Sequence, residues 1–273
     1  MPSAGRLIAG KILTAVLLLL VAGFILGPLI WLGMHAFATE WHYPNLLPEG
    51  LTLQWWRVVF AEPELFGAMQ NTLFFAPITV ALSALICLPA AYAFSRFSFP
   101  GRRIFLIGLF ATNAFPKMGL FVAMATVFYG LQLMETALGI VIVHLMGTVV
   151  FMTWIPAAAF SSVPRSLEEA ARDAGAGKIR VFLTVTLPLA MPGILVAAVM
   201  SFLASFDEAQ GTYLVGAPSY MTMPTEMYSL VLNYPKQVAA VFAILLSIPS
   251  VLLLLLTRRH IMGGQLAEGF QIR

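Results

Sequence analysis

Long apolar runs separated by short polar breaks dominate the chain. The runs fall at about 12–34, 72–95, 104–129, 137–160, 189–206 and 238–257. Each is close to the roughly 20 residues that a helix needs to cross the hydrocarbon of a bilayer. Lipid offers no partner to an open backbone N–H or C=O, so each run reads as an α-helix. The pattern predicts an all-α membrane protein of six transmembrane helices, a single domain over residues 1–273. The first run, Ile12 to Met34, follows a basic start, as a signal peptide would. It exceeds the roughly 7 to 15 residues of a secretory apolar segment and ends at no small-x-small site, so a retained helix is expected. The third run is interrupted by Asn113 and by Pro116-Lys117. Between the first two runs, Trp41, Tyr43, Trp55 and Trp56 suit the aromatic belt at a membrane surface. No soluble domain, low-complexity tract or internal repeat is evident.

One polar interruption stands out. Ser161 to Gly193 carries seven of the chain's 27 Asp, Glu, Lys and Arg residues, with too few apolar residues to form a domain of its own. Ser166 and Glu169 have the S-x-x-E spacing of a capping box. Glu168 and Glu169 also complement the positive end of a helix dipole. Ala170, Ala171 and Ala174 make a small face, and Gly175 is placed to end the helix in a left-handed turn. A second short helix is expected from about Lys178 to Thr186, stopped by Pro188. The result is a helix-turn-helix over 161–188, held between the fourth and fifth spans.

Composition agrees with a membrane protein: 60% hydrophobic residues, 10% charged and a mean hydropathy of +0.91. A pI near 9.2 does not argue for nucleic acid, because the basic residues form short flanks beside apolar runs rather than a stripe. With both termini inside, twelve of the fifteen Lys and Arg residues fall in cytoplasmic segments, among them Arg96, Arg102, Arg103 and Arg165. Glu40, Glu49, Glu62, Glu64, Glu135 and Glu226 then fall outside. This is the positive-inside arrangement, and it puts 161–188 in the cytoplasm. Cys87 is the single cysteine, so an intrachain disulfide is excluded, and its place in an apolar run suits packing. No metal site and no catalytic residue is expected.

Charged groups within spans are functional candidates by default. Lys117 lies 13 residues into the third run, about 20 Å along a helix. With Asn113 beside it, and Pro116 able to open the helix toward a cavity, it is a candidate for the translocation pathway. Asp207 and Glu208, at the outer end of the fifth run, are candidates for the same pathway. His144 and Gln132 suit packing or interface roles.

Glu169-Ala170-Ala171, Gly175, Val185 and Leu187-Pro188 follow the EAA-x3-G-x9-[IV]-x-LP signature, and the chain thereby resembles the permease subunits of binding-protein-dependent bacterial ABC importers. Ala91 to Arg103, AYAFSRFSFPGRR, also looks like that family's turn after an early span. The resemblance implies the ABC importer permease fold, with 161–188 as the coupling segment that docks on a cytoplasmic ATPase. Glu168, Glu169, Ala170, Ala171, Asp173, Gly175, Ala176 and Pro188 would carry that coupling. It further implies a second permease subunit, identical or homologous, two cytoplasmic ATPase subunits, an extracytoplasmic solute-binding protein and a bacterial inner-membrane location. The chain itself has no phosphate loop, since Gly175-Ala176-Gly177-Lys178-Ile179 lacks the spacing and the terminal hydroxyl. No cofactor is therefore expected in it, and ATP and magnesium would be bound by the partner ATPases.

Ser205-Phe206-Asp207-Glu208 and Gly216 to Tyr220 resemble spermidine/putrescine-type permeases. The Phe99-Pro100-Gly101-Arg102-Arg103 turn and the tail from Arg258 to Arg273 resemble sugar-type ones, in which such a tail reaches between the ATPases. The resemblance leans toward a polyamine-type solute, with a sugar or other carbohydrate or anionic organic solute as the alternative. An ion-coupled secondary transporter, with Lys117, Asp207 and Glu208 as a relay, is the rival from another class.

Overall fold

The computed structural model describes residues 4–41, 45 and 47–262. Tyr43 of the aromatic belt and the tail from Gly263 to Arg273 lie outside them. The described residues are mostly helical, with one isolated β-bridge between Ala38 and Leu51. In chain order the helices are α1 (Ala4–Phe37), α2 (Gln54–Ala61), α3 (Pro63–Arg96), α4 (Arg102–Ala111), α5 (Lys117–Gly130), α6 (Ala137–Ser162), α7 (Arg165–Asp173), α8 (Lys178–Val181), α9 (Leu187–Phe206), α10 (Gln210–Gly216), α11 (Met223–Asn233) and α12 (Lys236–Met262). Among the described residues, five helical stretches are long and apolar enough to cross a bilayer, and the pair α4 and α5 makes a sixth if it crosses as one.

That pair departs from the single span expected over 104–129. The chain bends by 101° between its two arms. Pro116 has no N–H to continue the helix, and its ring drives the preceding residue out of helical backbone. Phe115 is accordingly extended, with φ −79° and ψ 144°.

The fifth span differs in the other direction. Pro188 does not end a short helix, because α8, a π-helical turn over Phe182–Thr186 and α9 run on as one stretch from Lys178 to Phe206. An ordinary α-turn would press the Pro188 ring against the carbonyl four residues back, and the wider π turn ahead of it relieves that crowding. The second span starts at Pro63 rather than near Thr72, since proline is well tolerated at the first helical position.

Two compact units divide the chain. In the unit formed by Met1–Pro63 and Met227–Ser247, the Trp55 and Trp56 indoles donate to the carbonyls of Ala38 and Ala36 at 2.8 and 3.1 Å. The Gln237 amide donates to the Thr39 carbonyl at 3.0 Å. These bonds fasten the segment that follows α1. The α1 residues from Gly10 to Ile30 are almost all exposed, a surface that only lipid or another protein can cover.

In the unit formed by Glu64–Glu226 and Ile248–Arg273, α6 packs along α9. One cluster gathers Phe75, Phe121, Phe128, Ile140, Val143 and Val215 from α3, α5, α6 and α10. A second joins Ala91, Ala157, Phe160, Ala190 and Ile194. Cys87 packs with Met152 and Ala197 between them, in the packing role its sequence position suggests. Lipid gives helices little hydrophobic reason to associate, so small residues and interhelical hydrogen bonds must hold them. His144 on α6 supplies two such bonds, its Nδ1 with the Ser205 hydroxyl at 2.7 Å and its Nε2 with the Thr212 hydroxyl at 2.8 Å. His144→Leu keeps the bulk but strips both buried hydroxyls of the ring. It should cost about 1–3 kcal/mol, read as a lower melting temperature in detergent.

Candidate coupling site

The polar segment forms an elbow. Pro164, with φ −60° and ψ 129°, precedes α7 and makes no side-chain cap bond. Ser166 therefore lies inside the first turn, and the expected capping box with Glu169 does not form. The carboxylate of Glu169, not drawn back to a cap, is exposed.

The far end of α7 closes as the sequence predicts. Gly175 has φ +86°, where L residues are strained and glycine is not. Its N–H bonds to the Arg172 carbonyl at 2.8 Å, and the Ala176 N–H bonds to the Ala171 carbonyl at 3.0 Å. This pair of bonds is the Schellman motif. Glu169 and Asp173 are four residues apart and share a helix face. Both are exposed, as are Ala170 and Gly175, while Ala171 and Ala176 are half-buried. Pro188 is exposed on the continuous fifth span.

Glu168 points the other way. It is 5% exposed and accepts from Arg96 Nη2 at 2.8 Å and from the Thr186 hydroxyl at 2.6 Å, both at Oε1. Arg96 Nη2 also donates to the Val163 carbonyl at 3.1 Å. Arg165 Nη2 donates to the Arg96 carbonyl at 3.3 Å. Sequence reasoning placed Glu168 in the segment but counted Arg96 only as an inside charge and passed over Thr186. Their signal was faint: an arginine closing a span and a hydroxyl just before Leu-Pro. Beside this pair lies a pocket of about 510 Å³ lined by Arg165, Arg172, Lys178 and Glu169, with Tyr92 and Phe182 at its apolar wall.

The structure brings Lys117 near Glu208, close enough for its charge to act on that carboxyl, and leaves Asn113 apart from them. Asn113 lies in a 3₁₀ turn, its amide donating to the Phe110 carbonyl at 3.4 Å. Lys117 is the first residue of α5, exposed just past the 101° break. Asp207 is exposed, whereas Glu208 is buried and accepts the Gly211 N–H at 2.9 Å. The two neighbouring carboxylates thus face different surroundings. Burial pushes the Glu208 carboxyl above the usual carboxylate range, against the pull of the Gly211 N–H and the Lys117 ammonium. Gln132 adopts φ 57° in the turn after α5.

Residues 83–262 match the family described as binding-protein-dependent transport system inner membrane component. The maltodextrin transport system permease protein MdxG of Bacillus subtilis (strain 168) is 30% identical over 244 residues, covering 85% of this chain and 82% of that protein. The spermidine/putrescine transport system permease protein PotC of Escherichia coli (strain K12) is 26% identical over 251 residues, covering 92% of each. Among solved structures, a chain of a bacterial ABC transporter involved in the import of the acidic polysaccharide alginate superposes with a TM-score of 0.74. It is 22% identical, and the match covers 95% of this chain and 98% of that one.

Proposed function

This chain belongs to the binding-protein-dependent transport system inner membrane components, the membrane-embedded permease subunits of ABC importers, whose ATP is hydrolysed by a separate ATPase, and from its likeness to a maltodextrin permease we propose a carbohydrate as its solute. An external binding protein delivers the saccharide, and a pair of permease subunits passes it by alternating access. Two cytoplasmic ATPase subunits close on ATP, and the α7 elbow receives that motion. Both termini and the elbow lie on the cytoplasmic side of a bacterial inner membrane in this reading.

The elbow's geometry carries the coupling role. An exposed face of Glu169, Ala170 and Asp173 ends in a rigid glycine turn, while Glu168 anchors the same helix inward. A small acidic face of this kind suits a partner surface of opposite charge. The lean toward a polyamine gives way to the carbohydrate alternative. The 30% identity to a maltodextrin permease supports it.

The test is reconstitution with the cognate subunits in proteoliposomes, offering maltotriose, trehalose, an acidic oligosaccharide and spermidine. A saccharide should stimulate ATP hydrolysis and be taken up without an ion gradient. Stimulation by spermidine alone would overturn the carbohydrate reading, and uptake driven by a gradient without ATP would overturn the importer mechanism.

A further inference from the structure

We propose that Arg96, Glu168 and Thr186 form the joint through which movement of α7 reaches two membrane spans at once, acting as positioning residues for coupling. The proposal rests on the reading of α7 as the docking helix. Glu168 is the residue immediately before the exposed Glu169, so whatever displaces the docking face displaces Glu168. Its Oε1 is bonded on one side to Arg96, the last residue of α3, and on the other to Thr186, in the π turn that leads into α9. A single oxygen thus ties the elbow to the end of one span and the start of another. Arg96 Nη2 reaches on to the Val163 carbonyl, at the junction of α6 and α7.

Three features distinguish a working joint from a plain staple. The charges are buried, with side chains only 8% and 6% exposed, and apolar side chains of similar size commonly hold helices together at least as well as a buried ion pair. The pair is made through one guanidinium nitrogen, Arg96 Nε being buried without a hydrogen-bond partner. A single-point contact can pivot where a two-point fork would be held flat. Finally, Thr186 sits in a π turn, a local widening that can shift register more readily than a regular α-helix. The adjoining pocket of about 510 Å³ leaves room for the side chains to move.

The experiment uses the assembled importer in proteoliposomes and measures solute taken up per ATP hydrolysed. In the doubly apolar variant Arg96→Met with Glu168→Met, this ratio should fall about tenfold, within the usual span of coupling free energies, while the melting temperature of the complex stays near that of the parent. Thr186→Val removes only the hydroxyl and should lower the ratio about threefold, whereas Thr186→Ser should keep it. An unchanged ratio in Thr186→Val, or in a doubly apolar complex that assembles, would overturn the joint. If the doubly apolar chain does not assemble, the Thr186 pair decides the matter. A parent importer whose uptake does not depend on ATP would instead sink the functional reading on which the joint rests.

Discussion

Glu169→Lys should abolish most ATP-driven uptake while the chain remains folded in the membrane. Glu169 is exposed on α7 and contributes nothing to the helix cap, so its loss should not disturb the fold. If α7 is the docking helix, that exposed carboxylate would meet a basic group of the ATPase. Reversing a charge in such a contact replaces attraction by like-charge repulsion, and cutting a close interfacial charge pair costs about 2–5 kcal/mol. Uptake in proteoliposomes should therefore fall at least about tenfold, since each 1.4 kcal/mol is a factor of ten. Helix content by circular dichroism should be unchanged. Ser166→Ala separates two descriptions of the same segment. A capping box would make it cost about 1 kcal/mol, whereas a serine inside the first turn after Pro164 predicts parental stability and uptake. Full uptake by Glu169→Lys would remove the docking role from this face.

What could be read from the chain alone followed the range of the interactions involved. The Gly175 turn was legible because its cause is local: one residue without a Cβ, at the end of an alanine-rich turn, closing two bonds to carbonyls three and five residues back. The third run's interruption at Pro116 was legible for the same reason, but its angle was not, since that depends on how the two arms pack. The capping box failed because the helix starts two residues early, with Pro164 as its cap residue, and this moves Ser166 inside. Pro188 misled in the opposite way, a π turn absorbing a residue that would ordinarily stop a helix. The Arg96 and Glu168 pair joins positions 72 residues apart in the chain. No periodicity or spacing marks such a contact, because the folded helices create it. Cargo was least legible of all. Asp207 and Glu208 look alike in sequence, yet one is exposed and the other is bound to a backbone N–H.

Gly211→Val should be a severely damaging change in α10. A Cβ at Gly211 would lie 2.4 Å from Val143 Cγ1 and 2.8 Å from two ring carbons of Phe121. Both neighbours are buried in the cluster shared by α3, α5, α6 and α10, so neither can swing aside without opening that cluster. α10 must lift instead. Lifting it stretches the Gly211 N–H bond to the buried Glu208 carboxylate and the Thr212 bond to His144. Overpacking of a close contact costs about 1–3 kcal/mol, and each buried polar group left unpaired adds about 1–3 kcal/mol. The expected result is a clear drop in melting temperature in detergent, accompanied by loss of uptake. Gly67→Ala is the matched control: a Cβ there meets nothing within 4 Å in this chain, and alanine in a helix interior is favoured over glycine by roughly 0.5–1 kcal/mol. Gly67→Ala should melt no lower than the parent. If Gly211→Val also melts with the parent, α10 is not held by this contact, and the buried link between Glu208 and α6 through Thr212 and His144 does not support the C-terminal end of the fifth span.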